Sequence, residues 1–175
     1  MGKRTAIHRF ALYLAVLLFG YAVCCARILC GTSSASADRI VIVKSSHTMT
    51  LMHGKDVLKT YRVALGTESV GAKEREGDHK TPEGIYVIDA KNPTSRFHLA
   101  LHISYPNSKD REKARLLGVN PGGDVEIHGL PKGFGWLGAM QRRVDWTDGC
   151  IALTNEEIEQ IYPLVAVGTV VDIRP

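Results

Sequence analysis

RIVIVKSSHTMTLMHGKDVLKTYRVAL, residues 39–65, reads as three β-strands in close succession. Arg39–Lys44 is a β-branched run, Ser45-Ser46 makes a turn, and Thr48–Met52 alternates so that Met49 and Leu51 share a face. His53-Gly54-Lys55-Asp56 carries the residue types of a hairpin turn, and Val57–Leu65 resumes the alternation. Side chains on a strand repeat every two residues, so this meander presents one apolar face to a core.

Working outward, strands continue to dominate. Thr81-Pro82-Glu83-Gly84 turns into a strand over Ile85–Ala90, Phe97–Ser104 is another, Val125–His128 is a short one ending at Gly129, and Gly168–Arg174 closes the chain. Gly66–Lys80 is polar and charged and predicts a long exposed loop. Ser108–Leu117 has helical spacing and is ended by the Gly, Asn and Pro of Gly118–Gly123. Asn155 is expected to cap a second helix, Glu156–Leu164, with acidic residues in its first turn. Leu130–Asp145 is a Gly- and Trp-containing excursion, expected to flank the site and to move as a lid. The fold class expected is mainly β: an antiparallel β sandwich or open barrel with two short peripheral helices.

Charge is divided unevenly. Residues 1–37 hold Lys3, Arg4, Arg9 and Arg27 and no acid, leaving 18 basic against 18 acidic residues over 38–175. A basic excess confined to a leader indicates targeting and argues against nucleic acid as a partner of the folded domain. Behind the basic start, Phe10–Val23 is an apolar run of 14 residues, and Ala35-Ser36-Ala37 reads as a cleavage site before Asp38. Residues 1–37 are therefore expected to be a signal peptide and 38–175 a single domain, exported to the periplasm or cell envelope. The alternative is an uncleaved N-terminal membrane anchor, although 14 residues fall short of the about 20 that span a bilayer.

Cleavage would remove Cys24, Cys25 and Cys30 and leave Cys150 alone. A lone thiol makes no internal disulfide and no cysteine-rich metal site. Its surroundings, Asp145-Trp146-Thr147-Asp148-Gly149-Cys150-Ile151-Ala152, and the segment Glu126-Ile127-His128-Gly129 hold what a nucleophile needs. A thiol attacks as thiolate, so it requires a base within reach; His128 at a strand end is the candidate. Gly149 lets the backbone turn sharply and exposes N–H donors for an oxyanion. His98 and His102, four apart on one predicted strand, share a face, but no nearby Cys or second acid makes a metal site of them. Trp136 and Trp146 either wall the cleft or belong to the core.

In order, His128-Gly129 followed by Thr147-Asp148-Gly149-Cys150 resembles the L,D-transpeptidase catalytic domain of YkuD type. The Thr81–Gly84 turn, the N-terminal meander and the closing Val170-Val171-Asp172-Ile173 strand are similar too, so the likeness covers 38–175. The resemblance implies that Cys150 forms a thioester with the third residue of a peptidoglycan stem, expelling terminal D-Ala, before transfer to an amine. It implies His128 as general base, the backbone N–H groups of Gly149 and Cys150 as oxyanion hole, and no metal or organic cofactor. A monomer acting on peptidoglycan stem peptides is expected, with membrane contact only if the leader is retained.

Two positions depart from the family pattern: Asp148 where a second histidine is usual, and Ala152 where Arg or Asn is usual. Asp148 would either orient His128 or receive a substrate amine. Arg142 and Arg143 would supply the missing charge or be surface residues, and Thr147 and Gly129 are further candidate supports. The same acyl-enzyme attacked by water makes an L,D-carboxypeptidase, and related chemistry makes a hydrolase of protein–peptidoglycan amides. A non-catalytic wall-binding module and an unrelated β domain with a structural cysteine are the readings of other classes.

Overall fold

A computed structural model describes residues 36–175. The expected signal peptide falls almost wholly outside this range. Strands β1 (Ala37–Val43), β2 (Thr48–His53) and β3 (Asp56–Arg62) form the predicted meander. They are followed by β4 (Gly84–Asn92), β5 (Ala100–Ile103), helix α1 (Ser108–Leu117), β6 (Glu126–His128), a kinked 3-10 segment (Gly135–Arg143), β7 (Ile151–Ala152), helix α2 (Asn155–Ile161) and β8 (Val165–Arg174).

All eight strands join one sheet in the order β3-β2-β1-β8-β4-β5-β6-β7. Most neighbours are antiparallel, as the short turns require, but β1–β8 and β6–β7 run parallel. The sheet curls until its outer edges meet. Beyond β3, Ala64 exchanges backbone hydrogen bonds with Ala152 of β7, at 3.1 and 2.8 Å. The result is an open barrel built from one sheet, not a two-sheet sandwich. Ile40, Ile42, Met49, Leu51, Ile88 and Ile127 fill it from alternate strand positions and are fully buried.

Several boundaries moved. Gly168, at φ 93° inside β8, does not start that strand; pairing with β1 shifts register there, and the strand begins at Val165. Thr154, not Asn155, caps α2. Its hydroxyl accepts from Glu157 N–H while the Glu157 carboxylate accepts from Thr154 N–H, a reciprocal pair that Asn155 lacks. Asn155 instead accepts from Leu130 N–H, at 2.8 Å. The strand expected over Phe97–Ser104 shortens to Ala100–Ile103, because His98 has φ 72°. His98 and His102 therefore do not share a face: His98 pairs with Glu159 and His102 with Asp89.

The loop Gly66–Lys80 is exposed over most of its length, as predicted, but is organised around two buried lysines. Lys44, at the end of β1 and 3% exposed, donates to the Gly71 and Thr81 carbonyls and to Glu83 Oε1. Lys73 is also buried and pairs with Asp78 at 2.8 Å. A buried ammonium is tolerated only when paired; Lys44 anchors residues 71–83 to the end of β1, and Lys73 braces the loop from within.

Candidate active site

The parallel pairing of β6 and β7 assembles the site. Ile127 is opposite Ile151 and His128 opposite Ala152. Residues paired across strands face the same side, and so do residues two apart along each strand. Glu126, His128, Cys150 and Ala152 therefore share one face, with Cys150 a step along the register from the histidine.

Cys150 is carried on a turn organised by Thr147. The buried Thr147 hydroxyl donates to the Cys150 carbonyl at 2.7 Å and accepts from Gly149 N–H at 3.1 Å. Gly149 has φ 126°, and a Cβ there would lie 2.5 Å from the Lys80 carbonyl oxygen. Only glycine fits, for backbone and packing reasons together. The Gly149 N–H is thus spent inside the turn, which revises the oxyanion hole expected of both residues. The Cys150 N–H has no acceptor among the described residues.

The sulfur sits 3.4 Å from Glu126 N–H and 3.6 Å from the Asp124 carbonyl. Burial, with help from the Glu126 and Asp148 carboxylates, pushes the thiol pKa up to about 11 against the opposing pull of the Glu126 N–H and Arg96. Burial likewise lowers His128 to about 4. The resting pair is accordingly a neutral thiol and a neutral imidazole, not a thiolate–imidazolium pair.

His128 is 1% exposed and tightly held. Its Nδ1–H donates to the Gly129 carbonyl at 2.7 Å, since a carbonyl only accepts. That fixes the tautomer and leaves Nε2 with its lone pair. Phe97 stacks on the ring at 4.2 Å and Trp146 meets it edge-on at 5.8 Å. Trp146 in turn donates to Gln141, which reaches the Ala152 carbonyl. Trp146 thus walls the imidazole, whereas Trp136 is exposed on the excursion.

The supporting residues distribute differently from expectation. Asp148 does not orient His128; the Gly129 carbonyl does. Asp148 is 92% exposed and accepts from His79 Nδ1–H at 2.8 Å. Arg142 is committed to Glu157 on α2, and Arg143 is exposed with no carboxylate partner among the described residues. Gly129 accepts no side chain without displacement, since a Cβ would lie 2.8 Å from Asn155 Oδ1. Sequence reading missed Arg96, Phe97 and His79, and quoted Glu126 only as part of the His128 segment. Arg96 and Phe97 precede a strand and His79 lies in a charged loop, and no spacing rule links these three to Cys150. The excursion also carries an apolar cavity of about 350 Å³ lined by residues including Leu130, Phe134, Met140 and Trp146. Among the described residues, no group of three or more His, Cys, Asp or Glu is placed to hold a metal ion, and no helix is long and apolar enough to cross a membrane.

The site is thus a turn-mounted cysteine and a buried, tautomer-fixed histidine on one face of a half-closed barrel. The model of the YkuD family, the L,D-transpeptidase catalytic domain, matches residues 37–173, and the chain belongs to that family. It is 30% identical over 111 residues to YafK of Escherichia coli K12, provisionally designated an L,D-transpeptidase; the match covers 62% of this chain and 37% of YafK. Among solved structures it is similar to a K307A mutant of Pgp2, the helical cell shape determining protein of Campylobacter jejuni. There the TM-score is 0.59 at 27% identity, covering 79% of this chain and 47% of the other. An L,D-transpeptidase of Mycobacterium smegmatis shares the fold, with TM-score 0.53 at 18% identity over 79% of this chain and 59% of the other. The chain thus spans well under half the length of YafK and about half that of Pgp2.

Proposed function

We propose that this chain is a cysteine acyl-transferase acting on peptidoglycan stem peptides, exported to the cell envelope with residues 1–37 as signal peptide and 38–175 as catalytic domain. The observation that carries the reading is the His128 tautomer. With Nδ1–H held by Gly129, Nε2 is the proton acceptor on the face that Cys150 shares. Family membership and the likeness to YafK and Pgp2 support peptidoglycan as substrate.

In this mechanism Nε2 takes the thiol proton as Sγ attacks the carbonyl of the third stem residue. The resulting oxyanion accepts from the Cys150 N–H. Collapse breaks the peptide bond, and the imidazolium gives its proton to the departing D-Ala amine, leaving a thioester. An acceptor amine then attacks that carbonyl, and the thiol and imidazole are restored as neutral groups. The neutral resting pair suits concerted transfer, because proton removal and attack occur together. Asp148, exposed two residues before the nucleophile, receives the acceptor amine.

Incubation with purified tetrapeptide muropeptides and mass spectrometry tests this. Cross-linked dimer is expected from the wild type, and neither product nor thioester adduct from Cys150→Ala or His128→Gln. Asp148→Asn is expected to keep D-Ala release and shift product from dimer to tripeptide by about tenfold, the scale of one lost charge-assisted contact. Tripeptide alone from the wild type would make the chain an L,D-carboxypeptidase. Sacculus binding without any turnover would make it a wall-binding module.

A further inference from the structure

Arg142 is tied to Glu157 and position 152 is alanine, so neither supplies a cation to the site. The structure offers another. Arg96 is exposed and has no carboxylate partner among the described residues. Its guanidinium lies 4.7 Å from the centroid of the Phe97 ring, and Phe97 is stacked on His128. Planar guanidinium on an aromatic face is a favoured arrangement that leaves the N–H edge free for a ligand. The Arg96 carbonyl is fixed by Lys132 N–H at 3.0 Å, so its backbone is tied to the start of the excursion.

We propose that Arg96 binds the terminal carboxylate of the donor peptide, making the site selective for a scissile bond one residue from a free C-terminus. The proposal rests on the acyl-transferase reading. Its physical motive is charge. A peptide carboxylate arriving beside Cys150 meets Glu126 on the same face and Asp148 on the same turn, both repulsive. Arg96 is the cation whose charge is felt at Cys150, at His128 and at Glu126 alike. A terminal D-Ala places its carboxylate a few bonds from the carbonyl that the sulfur attacks. An unpaired guanidinium beyond the ring that packs on the base is suitably placed to hold it. Arg96 is thus a specificity-determining residue that touches substrate and takes no proton.

Two measurements on Arg96→Gln and Arg96→Lys test it. The first compares alkylation of Cys150 by iodoacetate and by iodoacetamide, which differ in charge and require no enzyme turnover. The iodoacetate-to-iodoacetamide rate ratio is expected to fall about fivefold or more in Arg96→Gln and to be largely kept in Arg96→Lys. The second compares a tetrapeptide donor with its C-terminal carboxamide. Arg96→Gln is expected to raise KM for the acid about tenfold with kcat little changed, and to leave the amide unaffected. An unchanged alkylation ratio overturns the proposal, as does equal loss on acid and amide. A lowered ratio in a protein whose wild type releases no D-Ala would support anion binding by Arg96 and sink the acyl-transferase reading instead.

Discussion

Cys150 and His128 illustrate how much a residue's chemistry depends on what surrounds it. Each is held neutral at rest, the thiol up near 11 and the imidazole down near 4, and in each case burial is the main cause. The prediction at this scale follows directly. Alkylation of Cys150 by iodoacetamide should rise steeply with pH between 8 and 10, without the low-pH plateau of a preformed thiolate–imidazolium pair. A reactive plateau extending down to pH 5 would exclude the neutral resting pair. Thr147 shows why its residue type matters two positions before glycine: one hydroxyl both donates to Cys150 and accepts from Gly149. Asp148 and Arg96 show the limit of adjacency. The first is beside Cys150 yet bonded to His79, and the second is 54 positions from Cys150 yet stacks on the ring that packs against His128.

At the scale of elements, the loop following β3 is what presses on the catalytic turn. The Lys80 carbonyl packs on Gly149, and Asp78 organises the residues before it. Burial alone would raise the Asp78 pKa, but Lys73 and the N–H groups of Glu74, Arg75 and Lys80 hold it down to about 2. A depressed carboxyl stabilises the loop fully above its ordinary value of 3.8 and ceases to do so as pH falls towards 2. Lys73→Ala leaves Asp78 largely buried without its ammonium and is expected to cost about 3 kcal/mol. Hydrogen exchange should then quicken across residues 71–83 ahead of the core strands. Unchanged protection there would refute the anchoring role. The 130–145 excursion is itself tethered, through Gln141 to Ala152 and through Asp145 to Leu65 and His47. Any lid motion we propose for it is therefore confined to the 3-10 segment between Gly135 and Gln141.

At the scale of the described domain, the contacts that close the barrel are those that bury His128. Ala64 bonds to Ala152, Ala152 pairs with His128, and the histidine is sealed as the edges meet. A neutral buried imidazole makes stability depend on pH with a definite sign. The contribution is whole above 6.5 and lost as pH falls from 6.5 towards 4, by about 3 kcal/mol. Urea unfolding of the wild type should show that decline, and His128→Gln should lack it. Parallel pH dependence in both proteins would mean that another group is responsible.

The sequence alone determined the meander of β1–β3, the extent of α1, the mainly β class and the pairing of Cys150 with His128 as candidates. These rest on local periodicity, on breakers, and on residue types in a fixed order. Tertiary structure decided the rest. That β1 and β8 run parallel, and that Ala64 closes onto Ala152, are pairings between residues far apart in the chain, which no local pattern encodes. Which N–H is free in the turn, which acid His79 holds, and that Arg142 is taken by Glu157 while Arg96 stacks on Phe97 depend on where side chains meet in space. Spacing along a chain places residues on a face. Only packing of that face against its neighbours determines which of their polar groups are already satisfied and which remain to meet a substrate.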